Sequence, residues 1–447
     1  MLRSFRVANH KSIRTAQELL LIPAYDKGRP AVPVVAVYGR NAAGKSNLID
    51  AVRFMRTAVR GSFGQWEPET GIPRTPFRLD AATLGEPSLF AVDLLIDGTQ
   101  YLYGFEVDDV QIISEWLWAY RSTNRKTMLF EREELDVRLG DSLPERISRT
   151  KTLQGALRDN ALLLSTAMQF GEQREFAPVY RWFRTGLIIP RLDPYRIRTF
   201  LPRRIESAID SPGFLDLVRA ADIDIVDIRI EEAVEPQRRL DLAESARIGR
   251  EIRNLNAELA TTEDQKKRVA IGNMIRRLEG IHTQLKSPRI RREVIFAQGD
   301  RGVPMSLEDQ SSGTVAYIDL LAHALNALAT GGTLFVDEID MSLHPRLIAR
   351  IIELFRAKET NRYFAQLIFN THDATLLGTS FGEEILKRDE IWFVDKSEGA
   401  TALYPLTDFH PRQGENREKR YLGGSYGAVP AVFSDTLVEH LLEARRS

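Results

Sequence analysis

Hydrophobic and polar residues alternate at the start of the chain and then give way to a purely apolar run. The alternation predicts two short strands within residues 1–22, and the run Val34–Tyr38 is typical of a parallel strand buried on both faces. From Lys45 onward, apolar residues recur at the spacing of a helix, at Leu48, Ile49, Val52 and Met55. The pattern therefore predicts a strand, a loop and a helix in direct succession.

A hairpin signal and a later return of strand and helix signals divide the chain into blocks. Two apolar-rich strands flank Asp97-Gly98 within residues 88–107, and glycine suits the left-handed backbone of a tight turn. We therefore expect an antiparallel β-layer beside the core strands of an α/β fold. The predicted blocks are a first lobe (1–135), a mainly helical insertion (136–292) and a second lobe (293–447).

Within the insertion, residues 240–286 are rich in charge and carry apolar residues at helical steps. These residues are Ile248, Ile252, Leu255 and Leu259, then Ile271, Met274, Leu278, Ile281 and Leu285. The steps break at Thr261-Thr262-Glu263-Asp264, which predicts an antiparallel helical hairpin with arms of roughly 30 Å. A short coiled coil and a plain helical pair packed on the body both fit this pattern.

Composition excludes some kinds of site but leaves the function open. The 447 residues include 61 Lys and Arg against 62 Asp and Glu, so a nucleic-acid surface would need local charge segregation. The chain has no cysteine, which excludes disulfides, thiolate zinc sites and a cysteine nucleophile. No apolar run is long enough to span a membrane. We expect a soluble, cytoplasmic protein without a membrane partner.

The loop after Val34–Tyr38 carries the most specific motif in the chain. Gly39-Arg40-Asn41-Ala42-Ala43-Gly44-Lys45-Ser46 matches the phosphate-loop pattern G-x-x-x-x-G-K-S/T in the strand-to-helix context that this motif requires. The backbone amides and Lys45 would bind phosphates, and the Ser46 hydroxyl would bind Mg²⁺. The predicted phosphate-binding residues are Gly39, Asn41, Ala42, Ala43, Gly44, Lys45, Ser46 and Asn47.

Four further segments follow in the second lobe. Ser311-Ser312-Gly313-Thr314 precedes an apolar-striped helix, and its hydroxyls and amides suit an anion. The apolar strand Thr333–Val336 ends in Asp337-Glu338, which could hold Mg²⁺ and activate water. Asp340 follows at once in the segment Ile339–Pro345, and a second apolar strand, Gln366–Asn370, leads into Thr371-His372.

Taken in order, these segments resemble the Walker A, signature, Walker B, D-loop and switch-histidine motifs of ABC-type ATPases. The long gap after Walker A is similar to the RecF, SMC and OLD branch, in which an insertion splits the nucleotide domain. The opening Asn9-His10-Lys11-Ser12-Ile13 also resembles the N-F-R/K-S-F/I segment of that branch. The resemblance implies an ABC-type nucleotide-binding domain, namely a P-loop core sheet with an antiparallel β-layer, split by a helical insertion with a short coiled-coil hairpin.

The resemblance also assigns roles to residues. It implies ATP and Mg²⁺ as cofactors, with Ser46 and Asp337 holding the metal, Glu338 as catalytic base and His372 sensing the γ-phosphate. It further implies a nucleotide-sandwiched homodimer or a higher even-numbered oligomer. Ser311, Ser312 and Gly313 would face the ATP of the partner subunit, and Asp340 would lie at the dimer seam. The Q-loop glutamine has no clear position, and Gln65 is the nearest candidate.

A narrower resemblance concerns the C-terminal part. Asp389–Val394, Leu403–Leu406 with Asp408-Phe409, and Tyr421–Gly427 look like RloA-like, AbiL-type ATPases of abortive phage infection. Such proteins are encoded beside a small Toprim-like partner. This resemblance implies a sensor or scaffold that controls a separately encoded toxic effector and answers to DNA or a phage-derived trigger.

The alternative is a RecF/SMC-like DNA-binding ATPase of repair or chromosome maintenance. Two basic stretches could follow a phosphate backbone. One is Lys286 to Arg292, and the other contains Arg191, Tyr195, Arg196, Arg198, Phe200, Arg203 and Arg204. A transport ATPase is disfavoured by the divergent signature and by the split nucleotide domain.

Overall fold

The computed structural model describes most of the chain. The described residues are 1–26, 28–120, 125–141, 155–169, 174–190, 194–221, 224–235, 239–286, 289–341, 343–379, 382, 384–412 and 414–429. They form two compact units. The first comprises Met1–Ile197 and the chain from Ser312 onward, and the second comprises Arg198–Ser311.

The elements are numbered in chain order. The strands are β1 (Leu2–Ala8), β2 (Gln17–Leu20), β3 (Val34–Tyr38), β4 (Ser88–Ile96), β5 (Thr99–Val107), β6 (Ile112–Tyr120), β7 (Lys126–Glu133), β8 (Asp136–Leu139), β9 (Leu187–Ile188), β10 (Ile225–Glu235), β11 (Arg289–Gln298), β12 (Val303–Ser306), β13 (Thr333–Val336), β14 (Gln366–Asn370), β15 (Ile391–Ser397) and β16 (Ala400–Pro405). The helices are α1 (Lys45–Gln65), α2 (Ala81–Leu84), α3 (Leu163–Gln169), α4 (Ala177–Arg181), α5 (Pro194–Ala208), α6 (Phe214–Arg219), α7 (Arg239–Thr261), α8 (Gln265–Lys286), α9 (Ser312–Thr330), α10 (Pro345–Arg356) and α11 (Arg417–Leu422).

The main sheet of the first unit contains the strands that end at the predicted motifs. Its spatial order is β16-β15-β3-β14-β13-β9. All neighbouring pairs are parallel except β15 with β16. Every residue of β3, β13 and β14 is buried, as expected for strands covered on both faces. Because parallel strands end at the same edge of a sheet, the segments after β3, β13 and β14 lie side by side.

The antiparallel layer is a separate sheet of seven strands in the same unit, in the order β2-β1-β4-β5-β6-β7-β8. Asp97 and Gly98 connect β4 to β5, and both adopt left-handed backbone, with φ of 49° and 76°. A single hydrophobic cluster joins side chains of both sheets with α1, including Val35, Leu48 and Phe90. Packing against both sheets therefore fixes α1, which carries Lys45 and Ser46.

The compact second unit has other limits than the predicted insertion, and the predicted division into lobes and insertion stays a prediction. The second unit begins at Arg198 rather than residue 136 and ends at Ser311 rather than residue 292. Strand β8 belongs to the antiparallel sheet, and β9 pairs with β13 in the main sheet. Strand β9 has only two residues, which is too short for a periodic pattern.

A buried ion pair explains why the chain before β9 packs on the first unit. Glu115 and Arg132 have fully buried side chains whose charged atoms lie 3.8 Å apart. The Glu115 carboxylate accepts hydrogen bonds from the amides of Leu163 and Leu164, and Arg132 donates to the carbonyl of Ala161. These bonds, between residues distant in sequence, hold the start of α3 against the antiparallel sheet.

The second unit contains a small sheet in addition to its helices. Strands β10, β11 and β12 form an antiparallel sheet, in which β10 and β11 pair from Ile225 with Gln298 to Glu235 with Arg289. The long helices α7 and α8 lie between β10 and β11 in sequence and contact each other. Residues 262–264 separate the two helices, and coiled-coil packing between them stays a prediction. Among the described residues, no helix is both long and apolar enough to cross a membrane.

Candidate functional site

The phosphate loop connects β3 to α1 in a conformation that only certain residues allow. Ala42 and Gly44 have left-handed backbone, with φ of 62° and 113°. A Cβ atom added to Gly44 would lie 2.2 Å from Thr401 Oγ1, and one added to Gly39 would lie 2.3 Å from the carbonyl oxygen of Val394. Gly39 is therefore required by the close approach of the Val394 backbone, and Gly44 by its left-handed conformation.

Lys45 is almost fully buried beneath this loop. Its ammonium group donates hydrogen bonds to the carbonyl oxygens of Gly39, at 2.6 Å, and Arg40, at 3.1 Å. Burial lowers the pKa of Lys45 to about 8, and the carboxylates of Glu338, Asp340 and Asp337 oppose this shift. The structure thus brings the predicted phosphate-binding amine together with all three predicted acidic residues.

Ser46 and Asp337 meet although 291 residues separate them in sequence. The Ser46 hydroxyl donates a hydrogen bond of 3.0 Å to Asp337 Oδ1. A hydroxyl and a carboxylate are the oxygen ligands that Mg²⁺ prefers. The two residues predicted as metal ligands therefore fit Mg²⁺ by chemistry and by proximity.

Asn370, the last residue of β14, is a site residue that sequence reasoning missed. Its Nδ2 donates a 2.5 Å hydrogen bond to Asp337 Oδ1, and its Oδ1 accepts one from the backbone amide of Glu338. Glu338 itself is exposed and has left-handed backbone, with φ of 52°. A polar residue at the end of an otherwise apolar buried strand was the signal that could have identified Asn370.

His372 and Asp340 lie next to this cluster. The His372 amide donates a 3.0 Å hydrogen bond to Asp340 Oδ2. Burial, and after it the Lys45 ammonium, lowers the pKa of the His372 imidazole, while Asp340 and Glu338 oppose the shift. His372 is consequently biased towards its neutral form, in which one ring nitrogen can donate and the other can accept.

The segment near the N-terminus contacts the phosphate loop through side chains that sequence reasoning did not assign. The Ser12 hydroxyl accepts a 2.6 Å hydrogen bond from Asn47 Nδ2 and lies 2.7 Å from Thr401 Oγ1. Thr401 Oγ1 also donates to the carbonyl of Ala43, at 2.8 Å. The predicted residue Asn47 thus lies beside the loop and joins it to the segment that contains Ser12.

The signature residues lie at the boundary of the two units. Ser311 is the last residue of the second unit, and Ser312 begins α9, followed by Gly313. Ser311 and Ser312 are exposed. Their predicted contact with ATP would involve a second copy of the chain and stays a prediction.

Other predicted positions have simpler outcomes. Gln65 is the exposed last residue of α1, so its Q-loop assignment stays a prediction. Ser342 of the D-loop segment lies outside the described residues. So do Arg191, Ser287 and Pro288 of the two basic stretches.

Comparison with known families agrees with this geometry. Residues 34–378, most of the chain, match a family model described as "AAA domain, putative AbiEii toxin, Type IV TA system". The chain belongs to this family. The match runs from the first residue of β3 to just beyond His372, so it includes the motifs from the phosphate loop to His372. Comparison with curated proteins gives no match.

Family membership confirms the P-loop identification at the level of the domain. An AAA domain of this kind is a P-loop nucleotide-binding domain, and such domains usually use Mg²⁺ with the nucleotide. The family description also names a putative AbiEii toxin and a type IV toxin–antitoxin system. The finer RecF, SMC, OLD and RloA-like resemblances stay predictions.

The C-terminal segments pack directly behind the phosphate loop. Phe393 of β15 stacks with Tyr421 and Tyr426, at centroid distances of 5.8 and 5.3 Å. Tyr38, the last residue before the loop, contacts both Phe393 and Tyr421. The Tyr421–Gly427 segment is therefore an aromatic support for the end of β3.

Proposed function

We propose that the chain hydrolyses ATP to ADP and phosphate with Mg²⁺ as cofactor. The observation that carries this proposal is the convergence of Lys45, Ser46, Asp337 and Glu338 at one edge of the main sheet. The phosphate-binding amine, two oxygen ligands for a metal and a separate exposed carboxylate are the groups that phosphoryl transfer to water requires.

Each side chain has a separate role in the proposed reaction. Lys45 holds the phosphates through its ammonium group, while Ser46 and Asp337 hold Mg²⁺, which neutralises phosphate charge when bound. Glu338 orients the attacking water and accepts its proton at the carboxylate. His372 donates a hydrogen bond to the γ-phosphate, and its lowered pKa favours the neutral imidazole.

We further propose that two copies enclose the nucleotide. Ser311, Ser312 and Gly313 of one subunit would contact the γ-phosphate bound to the other, and Asp340 would lie at the seam. The position of Ser312 at the start of α9 supports this, because the first amides of a helix lack intrahelical acceptors and attract anions. Exposure of Ser311 and Ser312 leaves these groups accessible to a partner.

The proposed biological role is control of a separately encoded, Toprim-like toxic effector in antiphage defence. The family description, with its toxin–antitoxin association, supports this role. The RloA-like C-terminal segments support it as well. In this proposal, α7 and α8 form a short coiled-coil arm. DNA or a phage component is the trigger that changes the control of the effector.

DNA binding in repair or chromosome maintenance is the second candidate. One observation favours it, which is that α5 exposes two aromatic side chains, Tyr195 at 79% and Phe200 at 45%. The Arg204 guanidinium lies 6.0 Å from the Phe200 ring. Exposed aromatics beside arginine are typical of surfaces that stack on nucleic-acid bases.

Glu338→Gln tests the catalytic assignment. The substitution removes the proton acceptor but leaves the phosphate contacts, so we expect ATP affinity within about threefold of wild type and turnover at least ~100-fold lower. Light scattering should show a dimer that persists with ATP. Glu134→Gln is the matched control, because Glu134 is also exposed with left-handed backbone, at φ 51°. Rapid turnover by Glu338→Gln would contradict the assignment.

Co-purification with the product of the neighbouring gene tests the biological role. The full chain and its Glu338→Gln variant would each be purified with that product, with and without ATP. A stable complex whose yield depends on nucleotide supports effector control. A dimer that does not bind the product of the neighbouring gene but binds duplex DNA when ATP is added supports the DNA-binding function instead.

A further inference from the structure

Asn370 contacts both acidic residues of the site but is itself neither charged nor exposed. Only 1% of the residue is accessible to solvent. Its carboxamide donates to the Asp337 carboxylate at 2.5 Å and accepts from the amide of Glu338. One side chain therefore touches the proposed metal ligand and the backbone of the proposed base at the same time.

The chemistry of the two partners fixes the orientation of this carboxamide. A backbone N–H can only donate, so the oxygen of Asn370 must face Glu338. An ionised carboxylate can only accept, so the nitrogen must face Asp337. Asparagine is suited to this position because it offers a donor and an acceptor on a single planar group. Aspartate would lack the donor, and an aliphatic residue would lack both.

The two contacts act on different properties of the site. The bond to Asp337 Oδ1 uses the same oxygen that accepts from the Ser46 hydroxyl, so it holds that carboxylate towards the phosphate loop. The bond from the Glu338 amide supports a left-handed backbone that a residue with a long side chain rarely adopts. Glu338 in this conformation is exposed.

We propose that Asn370 is a positioning residue that assigns different roles to the two neighbouring carboxylates. It holds Asp337 on the metal side and keeps Glu338 free of the metal, in the conformation in which it can act on water. This inference rests on the proposed function, because the two roles belong to ATP hydrolysis. Asn370 acts through its contacts with Asp337 and Glu338.

Two further hydrogen bonds join the segments around Asn370 and His372, the residue proposed to sense the γ-phosphate. The Asn370 carbonyl accepts a 3.2 Å hydrogen bond from the amide of Ile339, and the His372 amide donates to Asp340 Oδ2 at 3.0 Å. The ends of β13 and β14 are thus joined beyond the regular pairing of the strands, which stops at Val336 with Phe369.

The test uses two substitutions at this position and one elsewhere. Asn370→Leu keeps the size of the side chain but removes both hydrogen bonds. Asn370→Ser offers one short hydroxyl, which can serve only one partner at a time. Asn361→Leu is the matched control, because the Asn361 carboxamide also makes partly buried hydrogen bonds, to Phe355 and Ala365, in a loop away from the acidic residues.

Two readouts separate positioning from a merely structural role. The first is Mn²⁺ affinity, measured by electron paramagnetic resonance in the presence of a non-hydrolysable ATP analogue. The second is the kcat and KM of ATP hydrolysis. Loss of structure alone would reduce the active fraction, and hence kcat, without moving the half-saturating concentration of metal.

For Asn370→Leu we expect Mn²⁺ affinity and kcat each to fall about 10–100-fold, the usual effect of losing a partner of a metal ligand, with KM for ATP changed less than about threefold. For Asn370→Ser we expect smaller losses of Mn²⁺ affinity and kcat, of about 3–10-fold. Asn361→Leu should lower the melting temperature only. Mn²⁺ affinity within about twofold of wild type in Asn370→Leu overturns the inference. If Asn370→Leu does not fold, wild-type values of Mn²⁺ affinity and kcat in Asn370→Ser overturn the inference.

Failure of the inference and failure of the proposed function are distinguishable. A wild-type chain that binds Mn²⁺ and the analogue but does not hydrolyse ATP would refute the proposed function. The Mn²⁺ titrations of the Asn370 variants would still decide whether Asn370 positions Asp337.

Discussion

Gly39→Ala is a sharp test of how the phosphate loop is built. Gly39 follows β3 directly, and its carbonyl accepts the 2.6 Å hydrogen bond from Lys45. A Cβ at this position would lie 2.3 Å from the carbonyl oxygen of Val394, whereas ordinary contacts begin at 3.4 Å. The added Cβ and the Val394 carbonyl oxygen must therefore move apart by roughly 1 Å, since a shorter contact is repulsive.

Neither side of this contact can yield cheaply. Val394 is a backbone neighbour in β15, which pairs with β3 in parallel from Ile391 to Phe393. We therefore expect the loop to move and to take Lys45 with it. Overpacking of this kind costs about 1–3 kcal/mol of folding free energy. A displacement of about 1 Å at a binding group can cost about 100-fold in affinity or rate, which corresponds to about 2.7 kcal/mol.

Thermal unfolding and titration with a fluorescent ATP analogue measure the two effects. Gly64→Ala is the matched control, because Gly64 lies in the exposed part of α1 and a Cβ there meets nothing within 4 Å. That control should gain about 0.5–1 kcal/mol of stability from reduced chain entropy and bind ATP normally. If Gly39→Ala bound ATP within about threefold of Gly64→Ala, the close-approach argument would be refuted.

Two further predictions follow from buried charges. ATP affinity should be constant below pH 8 and fall by up to about tenfold per pH unit above it, because burial lowers the pKa of Lys45 to about 8 and only the protonated amine attracts phosphate. ATP titrations between about pH 7 and 9.5 check this, and Lys45→Arg, which stays charged, should remove the pH dependence. Glu115→Ala should cost about 3–5 kcal/mol in denaturant unfolding, because it leaves the fully buried Arg132 without its counter-charge. Glu133→Ala, at an exposed position of the same strand as Arg132, should change stability by less than about 0.5 kcal/mol, and equal midpoints for the two variants would contradict this account.

The sequence alone determined the features whose residues are close together along the chain. The phosphate loop lies directly between β3 and α1, so the motif and its context could be recognised in one short window. The Asp97-Gly98 hairpin is local in the same sense. The apolar run that directly precedes Asp337 and Glu338 is by itself enough to place these carboxylates at the end of a strand.

The tertiary structure decided everything that depends on which strands become neighbours. Only the order of the main sheet brings Asp337 to Ser46 and places Asn370 between Asp337 and Glu338. The limits of the second unit were likewise decided by distant contacts, such as the two-residue strand β9 against β13 and the Glu115 carboxylate with the amides of Leu163 and Leu164. The physical reason is that local periodicity reports which faces of an element are apolar, while strand neighbours are selected by packing and hydrogen bonding between segments far apart in sequence.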